Sequence, residues 1–264
     1  MIGVFDSGLG GLTVLRALKT VLPNERFLYF GDTAHLPYGD KSPETLRGYI
    51  GRVVDYLLSR EVKAVVVACN TAAAVAKAQI VARCGTVPVF EVVTPAVEEA
   101  VAVSPAGRIG VLATKTTVAS HVYLKEILER RPDAFVVEKA APLLVSLIEE
   151  GWLQQPLCDL VVEAYLSDTG FRHIETLILG CTHYPLVKNA IENYFAKNHP
   201  HPPKVVGSDT AVAAVVAQKL TQLQLTSDVP DGPDEYRLSD VTEAFVQATE
   251  IFFGQPIRPV HTPL

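Results

Sequence analysis

The chain has 264 residues, 48% hydrophobic and 20% charged, a composition that suits one large or two moderate globular domains with a full core. A net charge of −6 with scattered lysines and arginines leaves no basic patch for nucleic acid, and no apolar run approaches the roughly 18 residues of a membrane span. The N-terminus opens almost directly on a strand, which leaves no room for a signal peptide. The four cysteines, without Cys-x-x-Cys spacing, therefore read as free thiols in a reducing cytoplasm.

Residues 2–5 predict a short strand, with Asp6-Ser7-Gly8-Leu9-Gly10-Gly11 as its carboxyl-end loop. Leu12, Leu15, Leu18 and Val21 or Leu22 then recur at helical spacing. The glycines invite a dinucleotide reading. Thr13, however, stands where the third glycine of G-x-G-x-x-G belongs, and no phosphate-loop Lys-Ser/Thr follows, so a tight strand-to-helix turn is the better reading. Asp6 and Ser7 still fall on the edge where such sheets bind ligands. Residues 27–30 predict the next strand, and the polar loop 31–40 has a length usually tied to function. Ser42-Pro43-Glu44 gives an N-cap, an N1 proline and a first-turn acid for a helix with a core stripe through Leu46, Ile50, Val53, Val54 and Leu57. Tyr49 and Tyr56 read as packing residues of that helix.

Residues 64–68 are small or β-branched and do not alternate, as in a parallel strand covered on both faces. The run stops at Cys69-Asn70-Thr71, ahead of an alanine-rich helix over 72–81. A thiol thus stands at the carboxyl end of a buried strand, where a helix N-terminus lowers a neighbouring thiol's pKa. Residues 88–93 predict a strand followed by a helix start at Thr94-Pro95, and 108–113 another, followed by Thr114, Thr116, Thr117 and Ser120 before a helix over 122–128. A strand over 135–137 and helices over 142–151 and 157–166 come next. Cys84, in a helix-to-strand turn, and Cys158, inside a helix, read as inert packing thiols.

Residues 176–180 repeat the buried run and end in Cys181-Thr182-His183-Tyr184-Pro185, with Pro185 suited to a helix start. A helix over 184–197 and a breaker cluster holding His199 and His201 as solvated loop residues follow. A strand-end turn at 205–211 then leads into a helix reaching residue 223. Residues 226–234 look like a linker, 236–238 like an edge strand, 241–253 like a last helix, and the proline-rich tail like a surface cap.

Ile2-Gly3-Val4-Phe5-Asp6-Ser7 echoes Ile109-Gly110-Val111-Leu112-Ala113-Thr114 at an offset of 107 residues, and Cys181 follows Cys69 by 112. Two features recurring at nearly one offset predict an α/β fold of two similar domains with mainly parallel sheets, facing each other across a central cleft. The division is residues 1–95 plus 207–264, with Cys69, and residues 96–206, with Cys181. Such an interface is where small-molecule sites tend to lie.

Three chemistries compete for two opposed thiols. A cysteine hydrolase would pair Cys181 with His183 as base and leaves Cys69 unused. A zinc site could draw on Cys69, Cys181 and His183, although neighbours such as Asn70 and Thr182 suit an organic anion better. The third is two-base proton transfer. Inverting a carbon that carries hydrogen needs one group to remove a proton from one face and another to return one to the opposite face, and thiols near neutral pH can serve either way.

Phe5-Asp6-Ser7-Gly8-Leu9-Gly10-Gly11-Leu12-Thr13-Val14, Pro37-Tyr38-Gly39, Ala68-Cys69-Asn70-Thr71-Ala72 and Gly180-Cys181-Thr182-His183-Tyr184-Pro185-Leu186 resemble, in order and across nearly the whole chain, the motifs of glutamate racemases. The resemblance implies a cytoplasmic enzyme without cofactor, neither pyridoxal phosphate nor metal, that interconverts L- and D-glutamate for bacterial peptidoglycan. It makes Cys69 and Cys181 the acid/base thiols, the first taking the proton of D-glutamate and the second that of L-glutamate, with Asp6 and His183 assisting. It assigns substrate contacts to Asp6, Ser7, Pro37, Tyr38, Gly39, Asn70, Thr71, Thr114, Thr117, Thr182 and His183, and a supporting part to Glu149. A homodimer acting on a small molecule, with no nucleic acid or membrane partner, is implied as well. The chain departs from the pattern at Thr94, where related sequences carry a glutamate before the proline. It also lacks the N-terminal extension linked to activation by a cell-wall precursor. Aspartate racemisation on the same fold and a non-catalytic amino-acid-binding or regulatory protein are the alternatives.

Overall fold

The structure, a computed structural model, describes residues 1–153, 156–229 and 232–264. Pro230 and Asp231 of the linker-like stretch lie outside the described residues. The chain opens with β1 (Ile2–Asp6), α1 (Gly11–Val21), β2 (Phe27–Gly31), α2 (Pro43–Ser59), β3 (Ala64–Val67), α3 (Asn70–Cys84) and β4 (Val89–Glu91). After α4 (Val93–Ala102) come β5 (Arg108–Ala113), α5 (Lys115–Ser120), α6 (Val122–Arg130), β6 (Phe135–Ala140), α7 (Pro142–Glu149), α8 (Pro156–Leu166), β7 (Thr176–Gly180), α9 (Lys188–Asn198) and β8 (Lys204–Gly207). The chain closes with α10 (Ser208–Gln222), which packs on α1, then β9 (Glu235–Leu238), α11 (Glu243–Phe253) and β10 (Val260–His261).

Two sheets result, one in the order β10-β9-β2-β1-β3-β4 and the other β6-β5-β7-β8, with every strand pairing parallel. The orders β2-β1-β3-β4 and β6-β5-β7-β8 match strand for strand, so the echoing hexapeptides occupy equivalent central strands and the two thiol-bearing strands lie beside them. Phe5 pairs with Val67 in one sheet and Ala113 with Gly180 in the other, which brings the ends of each pair level. The unalternating runs of β1, β2, β3 and β7 are buried along their whole length, as expected for strands covered by helices on both faces.

Several boundaries move for local reasons. Cys69 Sγ accepts from the Ala72 N–H at 3.4 Å and N-caps α3, so the helix begins at Asn70 and runs on through Cys84. The Glu91 carboxylate accepts from Val93 N (2.6 Å) and Thr94 N, which ends β4 and starts α4 before the proline. The stretch 135–137 extends to Ala140, with polar Glu138 and Lys139 tolerated because β6 is a half-buried edge strand. The helix over 184–197 opens with a 3₁₀ turn, Tyr184–Val187, ahead of α9. Residues 236–238 are not an edge. β9 pairs with β2 on one side and β10 on the other, and the tail supplies the edge. The ends of the linker-like stretch are tied down, Ser227 N donating to Glu25 Oε1 (2.7 Å) and Phe27 N to Asp234 Oδ1 (3.0 Å).

Candidate active site

The carboxyl ends of β1, β3, β5 and β7 converge on a cavity of about 430 Å³, within the range typical of small-molecule sites. Of the predicted site residues, Ser7, Pro37, Tyr38, Gly39, Cys69, Asn70, Thr71, Thr114, Cys181, Thr182 and His183 line it. Asp6 and Thr117 do not. Both are fully buried behind it and act on it through neighbours.

On the first wall, Asp6 Oδ2 accepts from the N–H groups of Gly8 (3.0 Å) and Gly11 (2.9 Å), which fixes the turn after β1. Its Oδ1 is buried without a hydrogen-bond partner among the described residues. Burial raises the Asp6 pKa, against the lowering effect of those amides and of His183. Cys69 Sγ lies 3.7 Å from Ser7 Oγ. Burial and then the neighbouring Asp6 charge push the Cys69 thiol up to about 12, with the Ala72 N–H and Ser7 pulling the other way. The expectation that a helix N-terminus would lower this pKa is therefore outweighed by desolvation.

On the second wall, Cys181 Sγ lies 3.8 Å from His183 Nδ1, and His183 Nε2 lies 3.0 Å from Glu149 Oε1. Burial lowers the imidazole pKa, but Cys181 and Glu149, by hydrogen bond and by charge, outweigh it and push it up to about 10. A cationic His183 stabilises negative charge on the adjacent sulfur. The two thiols thus sit in different fields, a carboxylate behind one and an imidazolium beside the other.

The walls are interlocked. Thr71 Oγ1 lies 3.0 Å from Thr114 Oγ1 and 3.3 Å from Thr117 Oγ1, and Thr114 and Thr117 are 2.9 Å apart, a hydroxyl cluster that joins α3 to α5. Thr13 Oγ1 reaches the Thr182 carbonyl at 2.9 Å. Gly10 is required by contact. A Cβ there would lie 2.1 Å from Thr182 Oγ1 and 2.5 Å from His183 Nδ1. The glycine-rich turn is therefore explained by the second wall pressing on it, and the tight-turn reading is the one the structure favours over a nucleotide. At the mouth, Thr116 Oγ1 donates to the Gly39 carbonyl (2.8 Å), and Lys115 pairs with Asp40 at 3.3 Å.

Beside Glu149, to which the resemblance gives a supporting part, α7 presents Pro142, Leu143, Val145 and Ser146 to the cavity. These were unplaced in sequence, although Pro142, Val145, Ser146 and Glu149 follow the i, i+3, i+4, i+7 spacing of one helix face. Asp32 is buried and accepts from Tyr38 Oη (2.5 Å) and Ser239 Oγ (2.8 Å), with His35 Nδ1 at 2.7 Å, so it holds the Tyr38 wall in place. Nothing local in the sequence marks that link to Ser239. Among the described residues no group of three or more His, Cys, Asp and Glu side chains is arranged to hold a metal ion. No described helix is long and apolar enough to cross a membrane.

Residues 10–219 match the family model described as Asp/Glu/Hydantoin racemase. The chain is 43% identical over 261 residues to the glutamate racemase of Syntrophus aciditrophicus, covering 98% of this chain and 94% of that one. It is 42% identical over 260 residues to the glutamate racemase of Neisseria meningitidis serogroup C, with the same coverage. The crystal structure of glutamate racemase from Francisella tularensis in complex with D-glutamate superposes with a TM-score of 0.91 at 33% identity, covering 100% of this chain and 96% of that one.

Proposed function

Because the chain belongs to the Asp/Glu/hydantoin racemase family, we propose that it interconverts L- and D-glutamate without a cofactor, by proton transfer between two thiols. The observation that carries this reading is the placement of Cys69 and Cys181 at equivalent strand ends of a repeated unit, both lining one cavity large enough for an amino acid. One thiol removes the α-proton and the other protonates the opposite face of the carbanion. Cys181 takes the proton of L-glutamate and Cys69 that of D-glutamate.

Cys69, with its pKa raised, waits as a thiol able to donate to the carbanion, and the His183 imidazole stands 3.8 Å from Cys181 Sγ, the group that takes the L-glutamate proton. In the reverse direction Asp6, buried beside Cys69, is the group that receives the Cys69 proton. Glu149 orients His183 and balances its charge. The hydroxyls of Ser7, Thr71, Thr114 and Thr182, the Asn70 amide and the Pro37-Tyr38-Gly39 wall bind the substrate's carboxylates and ammonium, with Thr117 ordering Thr71 and Thr114 from behind.

Two domains, residues 1–95 plus 207–264 and residues 96–206, are the units that carry the thiols in this reading. The product D-glutamate feeds bacterial peptidoglycan, and the enzyme works in the cytoplasm as a homodimer. The reading is tested by incubating the purified protein with L-glutamate, and separately L-aspartate, without added cofactor, and following optical rotation. Inversion of glutamate is expected, and Cys69→Ser and Cys181→Ser should each reduce it by several orders of magnitude while still binding glutamate. Inversion of aspartate alone would change the substrate, and normal turnover in either serine variant would overturn the two-thiol mechanism.

A further inference from the structure

Tyr123 lies in α6, on the Cys181 side, and is fully buried. Its phenol donates to Asn70 Oδ1, across the interface and next to Cys69, at 2.5 Å. Its ring packs on the peptide that turns into Cys181, since a Cβ at Gly180 would lie 2.9 Å from Tyr123 Cε2. One side chain therefore touches both thiol-bearing turns. Asn70 itself lines the cavity, and among the described residues its Nδ2 makes one long contact, 3.4 Å to Ser208 Oγ. Burial, then the charges of Glu91, Cys181 and Glu126, keep the phenol protonated, so it remains a donor. With the amide turned over, the phenol proton would face an N–H₂ group and lose its acceptor in a dry site, a costly arrangement.

We infer that Tyr123 is a positioning residue for the site: by donating to the Asn70 amide oxygen it fixes which way the amide is turned and so where its N–H donors stand, which favours a carboxylate at that point of the cavity. The inference rests on the glutamate reading above. It gives a physical reason for a tyrosine at this place in the second wall, where phenylalanine would fill the same space but leave the amide free to turn.

The test is a double-mutant cycle in the intact protein, read by steady-state racemisation of L-glutamate and by thermal unfolding. Tyr123→Phe should raise KM about tenfold, as expected for losing a buried hydrogen bond that orients a binding group, with a smaller change in kcat. In an Asn70→Ala background the same change should leave KM unmoved, because its effect runs through the amide. An unchanged KM in Tyr123→Phe, or effects that multiply in the two backgrounds, would overturn the inference. If Tyr123→Phe does not fold, Asn70→Asp answers instead. It keeps the acceptor for the phenol but removes both donors, so glutamate binding should weaken at least tenfold, and wild-type affinity would refute the donor role. A wild-type protein that fails to racemise glutamate at all would instead sink the functional reading, so the two failures are distinguishable.

Discussion

An alanine at position 10 should disable the site without disturbing the backbone that carries it. Gly10 sits at φ −56°, ψ −37°, an ordinary right-handed conformation open to any residue, so the whole penalty is steric. The new methyl would meet Thr182 Oγ1 at 2.1 Å, His183 Nδ1 at 2.5 Å and His183 Cε1 at 2.7 Å. Restoring normal contact at roughly 3.5 Å requires more than about 1 Å of displacement of two buried residues. Overpacking of this kind costs about 1–3 kcal/mol, or several degrees in Tm. A catalytic group misplaced by about 1 Å costs on the order of 100-fold in rate. Calorimetry and racemisation of L-glutamate would measure the two effects. Gly48→Ala is the control, an exposed position in α2 with open space around its Cβ, where alanine should be neutral or stabilising by up to about 1 kcal/mol. A Gly10→Ala protein with wild-type rate would refute the argument that the glycine-rich turn exists to admit His183.

Two further outcomes follow from the same geometry. Tyr38→Phe removes the phenol that donates to buried Asp32, leaving that carboxylate with Ser239 and His35, and should lower stability in urea by about 1–3 kcal/mol; an unchanged midpoint would contradict this. The folded His183 pKa, about 10, lies above the unfolded value of 6.5, so its protonation stabilises the fold fully below about pH 6.5 and that stabilisation is lost as pH rises toward 10. The stability difference between wild type and His183→Asn should therefore be largest near pH 6 and shrink on the way to pH 10, and a difference that grows with pH would be the wrong sign.

The fold was most legible where burial is two-sided. Ala64–Val67 and Thr176–Gly180 read as strands because they are short, rich in β-branched or apolar residues and unalternating, as strands covered by helices on both faces are, and that placed both thiols at strand ends. Two similar halves were expected from two short echoes, and the strand orders β2-β1-β3-β4 and β6-β5-β7-β8 match. Elements whose stability comes from distant partners were harder to read. β10 is two residues that count as a strand only through β9, and the half-buried end of β6 carries Glu138 and Lys139. α5 was missed because Lys115–Ser120 is a short run rich in threonine and serine, poor helix formers that read as a strand-end loop, and its start is set by the Thr114 cap and its end by His121 at φ +54°. At the site, side chains in or beside the four motifs were found from sequence. The links that hold them, Asp32 to Ser239 and Tyr123 to Asn70, join residues far apart in the chain, and the Asp32–Tyr38 link within one loop has no repeat spacing, so none leaves a periodic trace.

The most direct test of two-thiol proton transfer is the fate of deuterium when L-glutamate is converted in heavy water and both enantiomers are analysed before equilibrium is approached. Two separate thiols predict deuterium at Cα of the D-glutamate formed and none in the remaining L-glutamate, since Cys181 would return the proton it took while Cys69 delivers one drawn from solvent. Deuterium accumulating equally in both enantiomers from the start would mean a single base serving both faces, and would contradict the account.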